Sequence, residues 1–326
     1  MNYSELANAS RILFETELKP VQGQRIQPTG FPNLGAATYR LPESGRNMLL
    51  VESNQSMANR LEDVMWDYNN NRIIQELKGL PYIEVFNETT EAIATSSLLE
   101  AHRLASPYIL DGEDKSVYEV FEKASLDINV NEMPINMQAL AELVFKYDPN
   151  SLIHGVFFAS KALAGGRFRL QRLLSSFIEA EDVETVESGG VKNDILNPKG
   201  SAAEKFGNVP FHRTEYVAKK ITAYFNLDLA CLSSYGLDES ANRLLINLSL
   251  WKVRRFLTTG LRLRTACDLE AQELKVSTPA TLAIPSEEEL LAEVVLNIEE
   301  CTKKNLFVNP PVTHISWRVK EKKKGE

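Results

Sequence analysis

The sequence predicts a mixed fold, α/β or α+β, on three observations. β-like runs bounded by turn residues alternate with helix signatures along most of the chain. Hydrophobic content is 44% and charged content 25%, ordinary for a globular protein, and 326 residues suffice for a sizeable core. No internal repeat and no convincing linker interrupts residues 1–317, which favours one elaborated domain followed by a short tail.

The elements are predicted in order as follows. Residues 1–20 read as a leader, helical over Glu5–Leu18. Strands follow at Gln24–Gln27, Ala37–Leu41 and Met48–Val51, punctuated by Pro28, Gly30, Pro32, Gly35, Pro42 and Gly45. Ser53 or Asn54 caps a helix in which Met57, Leu61, Val64 and Met65 make an apolar stripe. Its other face carries Ser56, Asn59, Arg60 and Asp63, residues better suited to directed hydrogen bonds than to helix propagation. Short strands at Tyr82–Phe86 and Ala92–Thr95 precede helices at 97–105, 116–124 and 136–146, the last capped by Asn136. Leu152–Phe158 is an apolar run of strand length. The polar, Gly- and Pro-containing segment 187–213 reads as a long loop or projecting hairpin. Ile221–Leu229 alternates as a strand does, and residues 238–258 form a helix apolar nearly all round, capped by Asp238 and followed by Gly260. Leu261–Leu269 suggests another strand, and Ser286 with Glu289 makes a capping box for a helix to about Cys301. From Arg318 the tail has five cations against two acids and reads as disordered.

Composition narrows the function classes. A net charge of -8 and a pI near 5.3 argue against a binder that relies on overall basicity. Three widely spaced cysteines, Cys231, Cys267 and Cys301, give neither a disulfide framework nor a metal knuckle, which fits a reducing, cytoplasmic setting. The N-terminal residues lack the apolar core of a secretory signal, and no run approaches the roughly 18 apolar residues of a spanning helix, so no membrane partner is expected. Neither GxxxxGK[ST] nor GxGxxG occurs. The four histidines, His102, His154, His212 and His314, lack metal-ligand spacing and read as structural, with no metal and no cofactor expected.

Local charge is more informative. In SKALAGGRFRLQR (160–172), Lys161, Arg167, Arg169 and Arg172 occur without an acid, and Gly165 and Gly166 allow close backbone approach. In WKVRRFLTTGLRLRTAC (251–267), Lys252, Arg254, Arg255, Arg262 and Arg264 again occur without an acid, and Arg262 and Arg264 alternate with leucines so that both emerge on one strand face. Glu287, Glu288, Glu289, Glu293, Glu299 and Glu300 crowd one helix instead. Arginine dominates both basic stretches and suits phosphate recognition, with arginine–carboxylate structural pairing as the competing reading. A third stretch, residues 189–194 and 206–216, interleaves Phe206 and Phe211 with Lys192, Asn193, His212 and Arg213, a pattern suited to stacking on a single strand or to an ordinary pinned loop.

Taken together, PTGFPNLGAATYR (28–40), LLVESNQSMANRLE (49–62), ESGGVKND (187–194), FGNVPFHR (206–213), ITAYFNLDL (221–229) and WKVRRFL…GLRLRTACDLE (251–270) resemble the backbone RAMP subunit of type I-G (formerly I-U) CRISPR Cascade effector complexes, over roughly residues 20–270. The resemblance implies an α+β fold: a modified RRM/ferredoxin-like palm with a projecting thumb hairpin, for which 187–213 is the candidate, and helical insertions. It also implies a non-enzymatic role. Copies stack head to tail along CRISPR RNA and present it to a target DNA strand beside other Cascade subunits, while base pairing reads the sequence. Within that reading the RNA contacts chosen on chemistry are Ser56, Asn59, Arg60, Lys161, Arg167, Arg169, Arg172, Lys192, Asn193, Phe211, His212, Arg213, Arg254, Arg255, Arg262 and Arg264. Two alternatives remain. One is a metal-dependent target-RNA ribonuclease of the type III backbone kind, with Asp194 helping to position a metal. The other is a scaffold whose arginines are tied up in structural pairs.

Overall fold

The computed structural model describes residues 3, 6, 9–31, 34–128, 134–159, 163, 166–201, 203 and 207–318. The fold is α+β, with antiparallel pairing dominating the sheets. The chain begins with β1 (Arg11–Pro20), β2 (Arg25–Ile26), β3 (Thr38–Arg40), β4 (Asn47–Glu52) and α1 (Asn54–Asp63). β5 (Tyr82–Asn87), β6 (Ala92–Ser96), α2 (Ser116–Ile128), α3 (Met137–Tyr147) and α4 (Pro149–His154) follow. Next come β7 (Val156–Phe157), β8 (Arg169–Leu170), β9 (Leu174–Glu181), β10 (Glu184–Lys192), β11 (Val209–Val217) and β12 (Lys220–Asp228). The chain closes with α5 (Glu239–Thr259), β13 (Arg262–Arg264), β14 (Cys267–Thr278), α6 (Glu287–Lys303) and β15 (Val312–Trp317).

The main sheet has seven strands in the order β13-β14-β1-β12-β9-β4-β3. β12 lies antiparallel between β1 and β9, with Phe14 opposite Phe225 and Phe177 opposite Tyr224. β1 in turn lies antiparallel between β12 and β14. Two β–α–β crossovers therefore interleave: β1 to β9, with α1 on the way, and β12 to β14 through α5. α1 packs on β9 and α5, so both helices cover one face of the sheet. That face receives Ile12, Phe14, Leu18, Ile178, Ala180, Ala223, Phe225 and Leu227, all buried at period two. The opposite face is partly open and carries Glu15, Glu17, Glu179 and Glu181, with Phe177 and Tyr224 stacked on one another. A second sheet pairs β6, β5 and β15, the last parallel to β5.

Local chemistry explains most boundaries. Ser53 caps α1 by accepting from the Ser56 amide, and Asn136 and Asp238 cap α3 and α5 in the same way. Ser286 and Glu289 form the expected reciprocal capping box on α6. Between Glu184 and Val217 the chain forms a hairpin whose legs β10 and β11 run in continuous register, Lys192 opposite Val209. Four expectations are corrected. The helix proposed over Glu5–Leu18 is instead strand β1 from Arg11, because the burial of Ile12, Phe14, Thr16 and Leu18 follows period two. Residues 97–105 contain only turns and a short 3-10 turn, with Arg103 at φ +53°. The apolar run 152–158 is divided: Asp148 and Pro149 start helix α4, and Gly155, at φ +81°, stops it before β7. Leu261–Leu269 is likewise two strands, β13 and β14, joined by a tight turn. Phe206, the leader before Ala9 other than Tyr3 and Leu6, and the tail beyond Arg318 lie outside the described residues.

Candidate nucleic-acid interface

Where α4 ends, Gly155 brings the backbone against its neighbour. A Cβ there would lie 3.1 Å from the Arg172 nitrogen and 3.2 Å from the Leu170 oxygen, so only glycine fits this conformation. The close approach lets β7 pair with β8, Val156 opposite Leu170 and Phe157 opposite Arg169. Val156 and Leu170 are buried beneath the ribbon, while Phe157 and Arg169 are exposed above it.

Two depressions adjoin this ribbon. One, of about 660 Å³, is lined by residues including His102, Arg103, Phe157, Arg169, Gln171 and Arg172. The other, of about 650 Å³, is lined by Arg11, Arg167, Arg169, Gln171, Asp228 and Tyr235 among others. They share Arg169 and Gln171 and make one groove whose walls hold five arginines (11, 103, 167, 169 and 172) and one carboxylate, Asp228. The Asp228 carboxylate already caps the following turn by accepting from the Cys231 amide at 2.8 Å. Arg103 is buried and paired with Glu62, so the other four arginines make the groove a positive surface on an acidic chain.

A buried polar network supports its floor. Arg103 donates to Glu62 through Nε at 2.6 Å and Nη2 at 2.9 Å, and to the Gly155 carbonyl at 3.2 Å. Asn150 donates to Glu62 at 2.8 Å and accepts from Lys252, whose Nζ lies 3.0 Å from His154 Nε2. Burial pushes the Lys252 ammonium down to about 7. Burial, then the nearby Lys252 charge, pulls His154 well below the ordinary histidine value, so its ring is neutral. Burial pushes Asp148, the α4 cap, up to about 6. Arg172 reaches from the groove to the His154 and Asn54 carbonyls at 3.2 and 2.8 Å, and to Gln55 at 3.1 Å. The donors of Arg103 and Arg172 thus fix the backbone of the groove.

The residues singled out from the sequence divide sharply. Arg167, Arg169 and Arg172 meet in the groove; Arg167 and Arg169 are exposed, and Arg167 has an interaction inside the chain. Lys161 lies outside the described residues. Ser56, Arg60 and Arg264 converge on the buried carboxylate of Glu52, and Arg60 and Arg264 also donate to the carbonyls of Leu263 and Gln27 at 2.8 and 2.7 Å. Asn59 accepts from Gln55 at 3.1 Å. Arg254 donates to the carbonyls of Ile284 and Pro285, and Arg255 pairs with Glu287 at 3.0 Å. The acid-free run 251–267 therefore finds its acids on α6 and β4, far away in sequence.

On the hairpin, His212 contacts Glu187, and Arg213 joins Arg25 on the buried Glu215. Phe211 lies over Gly190, where a Cβ would meet its ring at 3.0 Å, and Lys192 and Asn193 are exposed. Arg262 is exposed and shares a smaller depression with Arg25 and Arg213. Asp194 accepts from the amides of Leu196, Asn197 and Gly207, hydrogen bonds that hold its carboxyl below the usual range. Among the described residues no group of three or more His, Cys, Asp or Glu side chains is placed to hold a metal ion. Sequence reasoning missed Arg11, His102, Phe157 and Gln171. Arg11 sat in a segment read as helix, and Phe157 in a run read as buried strand.

No helix among the described residues is long and apolar enough to cross a membrane. No curated protein matches the sequence. Among solved structures, a chain of a CRISPR RNA-guided surveillance complex in a pre-nicking state is 11% identical, with 90% of this chain and 89% of that chain covered at a TM-score of 0.40. Csc2 from Thermofilum pendens is 10% identical, with 93% and 80% covered at a TM-score of 0.31. The family described as CRISPR-associated protein GSU0053 matches residues 12–185, more than half of the 326 residues. The chain belongs to this CRISPR-associated GSU0053 family.

Proposed function

We propose that the chain is the RNA-holding backbone subunit of a type I-G CRISPR effector complex, stacking head to tail along CRISPR RNA and presenting it to a target DNA strand. The arginine-lined groove is the observation that carries this reading. Arg103 is buried on Glu62, but Arg11, Arg167, Arg169 and Arg172 line the same depressions with one carboxylate, Asp228, itself engaged as a cap, and such a lining suits a phosphate backbone.

Three further features support it. The two interleaved crossovers, with central strand order β14-β1-β12-β9, suit an RRM/ferredoxin-like palm. RRM domains stack bases on the open sheet face. Here that face carries Glu15, Glu17, Glu179 and Glu181, and its aromatic pair is closed on itself, so the reading assigns RNA to the groove. The 184–217 hairpin suits a thumb: Ile195 and Leu196 at its end are 92% and 97% exposed, an apolar tip for a neighbouring copy. A head-to-tail contact joins two different surfaces and builds an open helix. In this reading the subunit holds RNA and does not cut it, and Asp194 serves the turn between the hairpin legs.

Co-expression with a CRISPR array tests the proposal. The purified complex is expected to carry RNA of defined length, and single-strand affinity should fall with salt at a slope of about -0.7 per neutralised phosphate. Protein free of RNA of defined length would end it. Regularly spaced cuts in matched target RNA with Mg²⁺ would favour the ribonuclease alternative.

A further inference from the structure

Lys252 is the least expected charge in the fold. Its side chain is fully buried on α5, where Nζ donates to Asn150 and lies 3.0 Å from His154 Nε2. Both contacts are to neutral groups, and an ammonium taken out of water needs more than that to stay charged. The charges that face it come from three directions. α1 brings Glu62, whose carboxylate already accepts from Arg103 and Asn150. α4 brings Asp148, which accepts from Ser151 at 2.7 Å. The turn before α2 brings the like charge of Arg103. Burial outweighs the two acids, so the ammonium keeps its proton only up to about 7.

The same cluster forms a wall of the groove. His154 and Arg103 line the 660 Å³ depression. Arg103 ties Glu62 to the Gly155 carbonyl, and Arg172 donates to the His154 carbonyl at 3.2 Å. Lys252 thus lies one side chain behind the surface offered to phosphates. Charges interact more strongly across a buried wall than through screened water. A phosphate in the depression therefore favours the charged form of the lysine behind it. Linkage is reciprocal, so the protonated chain binds that phosphate more tightly.

Resting on the RNA-holding reading above, we propose that Lys252 makes the groove a pH-sensitive grip: single-stranded RNA draws a proton from solvent onto Nζ, and the groove holds RNA more tightly below neutral pH than above it. At high pH the lysine is neutral with or without RNA, and at low pH it is charged in both states. The gain therefore develops as pH falls through the value raised by RNA and is complete below about 7. Asp148 acts in the same sense only near 6. His102 on the groove wall is a further titratable group and serves as the control.

The test uses the full chain and a single-stranded RNA oligonucleotide at pH 6.5 and 8.5, at one salt concentration. Wild-type binding is expected to be about 5-fold tighter at the lower pH. Calorimetry near pH 7.5 in two buffers of different ionisation enthalpy should show net proton uptake. Lys252→Arg keeps its charge throughout this range and should lose the gain, whereas His102→Gln should keep it. Because a buried substitution can unfold the chain, the wild type supplies a second measurement. The NMR titration midpoint of the Lys252 ε-carbon should rise when RNA is added. An unmoved midpoint, binding equal at both pH values, or a gain lost in His102→Gln or kept in folded Lys252→Arg overturns the switch and leaves the RNA-holding reading standing. A wild type that binds no single-stranded RNA at either pH overturns that reading, and the switch with it.

Discussion

At Glu52 one buried carboxylate gathers Ser56, Arg60 and Arg264, three side chains that in sequence look like nucleic-acid contacts. An unpaired buried carboxylate is costly, so these donors first serve the fold. Replacing Arg264 with Ala removes one of three partners, and stability should fall by about 1–3 kcal/mol. Chemical denaturation measures this; unchanged stability with lost RNA would instead make Arg264 a surface contact. Lys252 gives a pH signature. Its folded-state value is pushed down to about 7, so above that pH the unfolded chain binds the proton that the folded chain releases. Stability from this group therefore rises with pH, by up to about 1.4 kcal/mol per unit above pH 7. Denaturation at pH 7 and pH 9 should show a gain in the wild type that Lys252→Met lacks. A gain of equal size in both would remove Lys252 as its source. Asp148 acts with opposite sign in a lower window: raised from 3.8 to about 6, it holds a proton in the folded state that the unfolded chain loses, so its contribution declines as pH rises between those values.

Among the elements, the 184–217 hairpin is the clearest case of a segment whose chemistry does not serve its own core. Its legs pair continuously, yet Val191, Ile195, Leu196, Val209 and Phe211 are exposed along its outer half. Such residues contribute little to folding, so Ile195→Ser with Leu196→Ser should shift stability by no more than about 0.5 kcal/mol. In the thumb reading the same double variant should shorten the assemblies formed on RNA, as seen by native mass spectrometry. Full-length assemblies from this variant would place the copy–copy contact elsewhere. α4 and β7 show a different relation between element and sequence. Asp148-Pro149 at the start and Gly155 at the end are boundary signals, but the apolar run Leu152–Phe158 masks them because a short buried helix and a buried strand have similar composition. That ambiguity is what hid Phe157.

Across the whole molecule, a net charge of -8 coexists with a groove of five arginines because acids and bases are sorted by surface. α6 takes up Arg255 through Glu287, the open sheet face holds glutamates, and the groove keeps one carboxylate. The sequence by itself determined the mixed α and β character and the capped helices α1, α3, α5 and α6, because caps, turns and periodicity act over a few residues, while it left 187–213 as either a long loop or a hairpin. Its long motifs likewise pointed toward a CRISPR-associated chain. Only the tertiary structure decided which partner each arginine meets. Arg264 and Glu52 are 212 residues apart in sequence and in contact in space, whereas Arg169 and Phe157 meet across a ribbon with no acid between them. The charge of a residue is written locally, but its partner is chosen by topology, and that choice separates an arginine that supports the fold from one left facing the groove.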